Sequence, residues 1–559
     1  MIAFSYDDIN KCCKVNVIDE YSHLYDINGI DFNMNTMKGS FQLCNKTVNV
    51  LMERYAPKEQ KIEWKLSFME HMQEFLKRKT TQTTTAQLLQ SYTMEKALNL
   101  PALFNYGNNP PQFVNQKIGQ YWHNYTQAHA LLWEMGTGKT RATVEGFEIK
   151  RKKGLVSHGL VVCPVSMIDK WVIEIELWSG EKSAIGIKGG REEKETIIGE
   201  NWVWYVVSFE TITNLLPRFL EVIDEKWFVC LDEFTKIKNP NAKRAKACVE
   251  VGKKTEHKDI LSGTPVTQHA YDLFTPYLFL DGGRTFGMKY DDFIEKYFWK
   301  QGYRKIAKRD ALQEIGKLMY NNATRFLKKD CIDIPDKVYD QRYLALPGKN
   351  QKSYDEMVKF CLTQIEGSEK VTAFVILTQL LRLSQITSGF VKDAMGRECG
   401  FEENPKLAAL EEILEESNGT SVIVWSRFIW DTRAIAGLCE KMEIPYTTLT
   451  GETKPDERTR NIADFQSGAR KVIIGTAGTG GHGIDLVKAS LVVYYSNSYS
   501  LEQRLQSEDR AHRAGQKNQV TYIDLLCKNT IDVSIYKILR NKKNIADIVT
   551  GDNVRNMMI

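Results

Sequence analysis

The spacing of apolar positions along this 559-residue chain changes near residue 125. Before it, a short alternating start, an amphipathic stretch at 59–79 and the polar tract TTQTTT at 80–85 give little repeated pattern, and the tract has the composition of a linker. After it come short runs rich in Val, Ile and aromatic residues: AHALLWEM (128–135), GLVVCP (159–164), WVWYVVSF (202–209), KWFVCLDE (226–233) and KDILSG (258–263). A second series follows: TSVIVWS (420–426), PYTTLT (445–450), KVIIGT (471–476), SLVVYYS (490–496) and QVTYIDLL (519–526). Continuous apolar runs of this length predict strands buried on both faces of a parallel sheet, and the intervening segments are long enough for crossover helices. Two series predict two α/β domains. Between them, 285–405 is Lys-, Leu- and Gln-rich with helical spacing, which predicts a helical insertion.

Composition narrows the class. A hydrophobic fraction of 43% and a charged fraction of 26% are ordinary globular values. There is no run long enough to span a membrane, and the start lacks the basic flank and apolar core of a secretory signal. The eleven cysteines include no CxxC pair, so no zinc site and no disulfide framework is expected, and the expected compartment is cytoplasmic (a bacterial or phage-infected cytosol) or nuclear in a eukaryote. Net charge is only +5, but residues 236–258 carry 8 basic and 2 acidic side chains, and 300–342 carry 11 and 6. Such stretches are either solvated surface or phosphate-binding faces.

In open α/β sheets, ligands bind beyond the carboxyl ends of the strands. After the first run comes EMGTGKT (134–140). Gly136 and Gly138 would let the backbone aim N–H groups at phosphate oxygens, with Met135, Thr137 and Arg141 alongside; Lys139 would reach the outer phosphates and Thr140 would bind Mg²⁺. The full phosphate-loop pattern has glycine where this chain has Trp133. LDEFTKIKN (231–239) ends another run with adjacent acids: Asp232 to hold Mg²⁺ through water, Glu233 to deprotonate an attacking water. LSGTPVT (261–267) offers Ser262 and Thr264 as hydroxyls that couple phosphate to movement. In QSEDRAHRAGQ (506–516), Arg510 and Arg513 are three apart and share a face if the segment is helical. They are either an arginine-finger pair or a salt-bridged helix face.

These motifs together resemble the Swi/Snf-type branch of helicase superfamily two. CPVSMIDKWVIEIELW (163–178), VSFETI (207–212), DIPDK (333–337), VIVWSRF, LTGETKPDERTRNIADF and IIGTAGTGGHGIDL follow that family's order over residues 110–535. Departures are Trp133, Thr235 in place of the box histidine, His269, and Asp485 where that branch has Asn. The chain carries no recognisable histone-reading module, which is similar to compact bacterial or bacteriophage members.

The resemblance implies two RecA-like P-loop lobes with a helical insertion between them: an N-terminal region at 1–105, the ATP-binding lobe at 106–285, the insertion and linker at 286–405, and the second lobe at 406–559. It implies ATP and Mg²⁺, with Gln116 reading adenine, Gly483 and Asp485 near the ribose, and Gln506, Arg510 and Arg513 acting at the γ-phosphate from the second lobe. It implies DNA contacts at Trp171, Ser208, Ser426, Arg427 and Thr476, joined by Lys238, Lys243 and Arg244 of the basic stretch. The expected activity is ATP-driven translocation on duplex DNA, independent of sequence, that remodels DNA or displaces proteins in replication, recombination or repair. Alternatives are a strand-separating or branch-migrating helicase, an RNA helicase, and a nucleotide-gated binding module. Residues 1–105 are either a cap on the first lobe or a partner-selecting region.

Overall fold

The computed structural model describes residues 100–550, apart from 108, 111, 303, 367–372, 394, 418 and 479–483, together with five short strands before residue 65. Those strands are β1 (Ile2–Asp7), β2 (Cys12–Val17), β3 (Asp31–Asn33), β4 (Lys38–Phe41) and β5 (Ile62–Trp64). They form one sheet in the order β3-β4-β2-β1-β5, with only β1 and β5 parallel. The amphipathic stretch at 59–79 beyond β5, and the TTQTTT tract, lie outside the described residues. The chain divides into two compact units, residues 1–327 with 547–559, and residues 328–546.

In the first unit, all five apolar runs are strands: β6 (Ala128–Leu131), β7 (His158–Cys163), β9 (Trp204–Ser208), β10 (Trp227–Asp232) and β11 (His257–Leu261). Two very short strands, β8 (Ala184–Gly186) and β14 (Ala323–Thr324), extend the sheet's edges. The order is β14-β6-β11-β10-β7-β9-β8, parallel throughout. Leu160, Val161 and Val162 of β7 and Phe228 to Leu231 of β10 are fully buried, as crossover helices on both faces require. Three of those helices matter for the site: α1 (Val114–Tyr125), α2 (Lys139–Lys152) and α3 (Ile168–Ser179). Phe147 of α2 packs its ring 4.3 Å from that of Trp204. A Cβ on Gly159 would stand 2.3 Å from the Trp204 ring, so β7 needs glycine there. His123 of α1 places Nε2 2.7 Å from Asp259 Oδ2 of β11, both side chains fully buried, which pins helix to sheet.

The stretch 286–405 holds helices, including Tyr290–Tyr297, Ala311–Met319, Gly348–Glu366 and Ala373–Thr387. It also holds strands that the spacing does not show: a hairpin of β12 (Phe298–Gln301) and β13 (Arg304–Ala307), then β14, β15 (Lys337–Leu344), and the pair β16 (Phe390–Lys392) and β17 (Glu398–Gly400). Strand β15 is the edge of the second unit's sheet, paired with β22 (Val520–Cys527) over eight positions. Its sequence KVYDQRYL is polar at half its positions because an edge strand faces solvent on one side, so it carries no apolar run. The other strands are the predicted ones: β18 (Val422–Ser426), β19 (Tyr446–Leu449), β20 (Val472–Thr476) and β21 (Leu491–Tyr494). The order is β15-β22-β21-β18-β20-β19, again parallel throughout. The fold is therefore α/β with two parallel sheets. Among the described residues, no helix is long and apolar enough to cross a membrane.

Candidate functional site

The loop from β6 to α2 has the backbone of a phosphate cradle. Gly136 and Gly138 have φ of 80° and 82°, left-handed values that favour glycine. A Cβ on Gly138 would stand 1.9 Å from Gln116 Nε2, so a side chain there would displace the Gln116 amide. Thr137 Oγ1 donates to the Glu134 carbonyl at 2.7 Å, and Asn115 Nδ2 donates to the Thr137 carbonyl at 2.8 Å. Lys139 Nζ donates to the carbonyls of Trp133 (2.8 Å) and Glu134 (3.1 Å), so the loop curls around its ammonium. Met135, Lys139 and Thr140 are half-buried in this turn, where α2 begins.

Trp133, in place of the pattern's glycine, is fully buried and donates Nε1–H to Thr324 Oγ1 of β14 at 2.7 Å. The departure is thus a packing feature that joins the edge strand to the loop. Gln116 is buried: its Oε1 accepts the Phe113 N–H (2.9 Å) and its Nε2 donates to the Gly138 carbonyl (3.3 Å). Arg141, expected beside nucleotide, is turned away from the loop. Its guanidinium binds Glu145 Oε1 (2.8 Å), Asn105 Oδ1 (3.1 Å) and the Pro110 carbonyl (2.8 Å), and lies 4.4 Å over the Trp178 ring. Glu145 also accepts from Gln112 and Gln120, so this buried set fastens Asn105, Pro110 and Gln112 to α2.

Strand β10 delivers the two acids to the carboxyl end of the parallel strands, the end that the β6 loop also follows. Asp232 Oδ1 accepts the Glu233 N–H at 3.0 Å and Oδ2 accepts Trp171 Nε1–H at 2.8 Å. Burial pushes the Asp232 pKa up, while the Trp171 hydrogen bond and the Lys139 charge pull against it. Glu233 sits at φ 54°, ψ 56°, a left-handed conformation for a non-glycine residue. Such a backbone costs about 1–3 kcal/mol and is held only where neighbours enforce it. Here the enforcing neighbours are buried Phe234, Thr235 and Ile237 of the turn that follows; Thr235 fills the box-histidine position.

The loop after β11 closes this half-site. The Ser262 N–H donates to the Leu131 carbonyl (3.3 Å), and Ser262 Oγ accepts the Thr264 N–H (3.1 Å). Thr264 Oγ1 is buried without a hydrogen-bond partner among the described residues. Arg325, which the sequence reading missed, is buried and donates from Nη1 to the carbonyls of Leu132 (2.6 Å) and Gly263 (3.2 Å). It ties the phosphate loop to the Ser262–Thr264 turn; in sequence it is one more cation in a lysine-rich stretch.

In the second unit, the helix Leu501–Glu508 ends before the arginines, so Arg510 and Arg513 lie in turns and do not share a helix face as expected. Arg510 is buried, its Nε donating to the Gln506 carbonyl (3.1 Å) and its Nη1 to that of Ile484 (3.1 Å). The Gln506 side chain is buried too. Arg513 is partly exposed and paired with the Asp485 carboxylate. Gly483 lies outside the described residues. Beneath this segment is a charge network. Lys337 lies 3.1 Å from Glu508, Lys328 is 2.8 Å from Asp509, and Arg504 bridges Glu508 (2.9 Å) and Asp524 (2.5 Å). Burial would raise the pKa of Glu508, but Lys337 and Arg504 outweigh it and hold the value down at about 2.

The expected DNA contacts divide. Trp171 is 1% exposed, Ser208 is a buried helix cap that accepts the Thr211 N–H, and Ser426 is buried between the Phe428 and Gly475 carbonyls. These three side chains are enclosed by packing in this structure. Lys243, Arg244 and Lys246 are exposed on the helix Lys243–Gly252, whose other face buries Ala245, Cys248 and Val251. Lys238 is half-buried, 3.9 Å from Asp272. Arg427 is half-buried with Nη1 donating to Ser384 Oγ, and burial lowers its pKa; Thr476 is half-buried at the end of β20.

Residues 25–389 match the SNF2-related domain, and residues 405–515 match the helicase conserved C-terminal domain. The chain belongs to the SNF2-related family. SNF2-type relatives include the ISWI chromatin-remodeling complex ATPase ISW1 of Saccharomyces cerevisiae, 24% identical over 79% of this chain and 41% of that protein. An uncharacterized ATP-dependent helicase of Mycoplasma genitalium is 26% identical over 74% of this chain and 39% of its own. A putative ATP-dependent helicase/translocase of Bacillus subtilis, YwqA, is 24% identical over 78% and 49%. The chain therefore spans about two fifths to one half of the length of these curated relatives. Among solved structures, the SWI2/SNF2 ATPase core of Sulfolobus solfataricus in complex with dsDNA is 25% identical, covering 81% of this chain and 96% of that one, with a TM-score of 0.41.

Proposed function

We propose that this SNF2-family chain hydrolyses ATP and uses it to translocate on duplex DNA without sequence preference, remodelling DNA or removing bound proteins. The observation that carries the reading is that a glycine-turned loop around Lys139 and the acids Asp232 and Glu233 both follow the carboxyl ends of parallel strands, β6 and β10, of one sheet. The residue chemistry fits magnesium-ATP: a left-handed Gly138 turn, an ammonium whose charge acts on the Asp232 carboxylate, and the Thr140 hydroxyl at the start of α2. Thr140 and Asp232 would hold Mg²⁺, which when bound offsets charge on the phosphates. Lys139 would leave its loop carbonyls for phosphate oxygens, and Glu233 would take the proton of the attacking water. Arg513, partly exposed, is the better placed of the two arginines to meet charge on the transferring phosphoryl group, while Arg510 holds the backbone beside it. The exposed Lys243, Arg244 and Lys246 supply a face suited to phosphates, and such contacts are independent of base sequence.

The site assignment is tested with Lys139→Ala. The expected outcome is a folded protein with no measurable phosphate release, since this partly exposed loop lysine adds little to the core. Wild-type turnover in a folded variant contradicts the assignment.

A further inference from the structure

We propose that Trp171 is a positioning residue that sets the orientation of the Asp232 carboxylate for its metal. This inference rests on the nucleotide site proposed above. Trp171 stands in the first turn of α3, 1% exposed and part of the hydrophobic core that also holds Leu131, Trp133, Val161, Cys163, Phe228 and Cys230. An indole has one donor and no acceptor, and this one points at Asp232 Oδ2 at 2.8 Å. The other oxygen, Oδ1, receives the Glu233 N–H at 3.0 Å. One donor on each oxygen fixes the plane of the carboxylate and leaves lone pairs for water bound to a metal. The donor is rooted in the hydrophobic core, so its aim is set by packing and not by a mobile surface side chain.

Packing alone does not account for that hydrogen bond. The buried indoles of Trp122, Trp204 and Trp425 have no hydrogen-bond partner for Nε1 among the described residues, so a tryptophan is tolerated in these cores without one. At 171 the N–H is instead directed 61 residues along the chain to the acid expected to hold Mg²⁺. Outer partners of this kind orient metal-holding carboxylates, and their loss typically weakens metal binding by about 10- to 100-fold.

The test is the affinity for ADP of the full chain, measured by calorimetry with Mg²⁺ and with EDTA. Trp171→Phe should reduce the gain in affinity conferred by Mg²⁺ by about tenfold and leave the affinity in EDTA unchanged. In an Asp232→Asn background the same substitution should have no further effect, because the two residues act as one unit. Equal losses in both backgrounds, or an undiminished gain with Mg²⁺, overturn the proposal. Should Trp171→Phe fail to fold, β-(3-benzothienyl)alanine at 171 keeps the bicyclic volume and lacks the N–H. It should reproduce the loss, and a wild-type Mg²⁺ gain with it overturns the proposal. A wild-type protein whose ADP affinity ignores Mg²⁺ contradicts the nucleotide site itself; a wild-type response retained by the variants contradicts only the role of Trp171.

Discussion

Glu233 shows how single residues here trade stability for placement. Its left-handed backbone bends the chain directly after Asp232 and aims the second acid differently from the first. Replacing it by glycine removes the conformational cost; replacing it by alanine keeps that cost and removes the same carboxylate. Glu233→Gly should therefore be more stable than Glu233→Ala by about 1 kcal/mol, with both lacking turnover. Equal unfolding midpoints in denaturant would show that the bend carries no strain. The two arginines differ in the same physical terms. Arg510→Ala strands the buried carbonyls of Ile484 and Gln506, and should lower stability by about 1–3 kcal/mol. Arg513→Ala should leave the melting temperature nearly unchanged, keep ATP affinity within a few-fold, and reduce DNA-stimulated turnover by on the order of 10³-fold. Melting curves and both ATPase rates on the same preparations separate a structural arginine from a finger.

At the scale of elements, what is legible depends on burial. The ten strands flanked by helices are written as apolar runs, and each forms where its run stands. Of the four edge strands of these two sheets only β19 is: β8 and β14 are too short for any period, and β15 is half polar because one side meets solvent. The site shows the same division. Lys139, Asp232 and Glu233 are legible because the chemistry proposed for them needs fixed residue types at strand ends. Arg325 and the Trp171–Asp232 bond are not, since they join segments far apart in sequence with no local signature. The network under Arg510 and Arg513 is of this second kind, recruiting Lys328 and Lys337 from a stretch that reads as either solvated surface or a phosphate-binding face. Glu508, held at about 2, contributes stability that is fully present above its unfolded value near pH 4.5 and lost as pH falls toward 2. Glu508→Gln should thus be less stable than wild type at neutral pH, with the difference shrinking between about pH 4.5 and 2. Unfolding midpoints followed across that range check the sign; a difference that grows in acid contradicts the network.

At the scale of the molecule, the residues proposed for the chemistry fall in both compact units. The loop around Lys139 and the acids belong to the first unit, Asp485 and Arg513 to the second. A division of this kind suits an ATPase whose turnover answers to a second ligand, and the exposed cations of Lys243–Gly252 make a polyanion the natural one. The most direct measurement is steady-state phosphate release by the full chain with no nucleic acid, duplex DNA, single-stranded DNA or RNA, at matched nucleotide concentration and two salt concentrations. Translocation on duplex DNA predicts the strongest stimulation by duplex DNA, indifferent to its sequence and weakened at the higher salt. Turnover that no nucleic acid alters, or that RNA raises most, would contradict it.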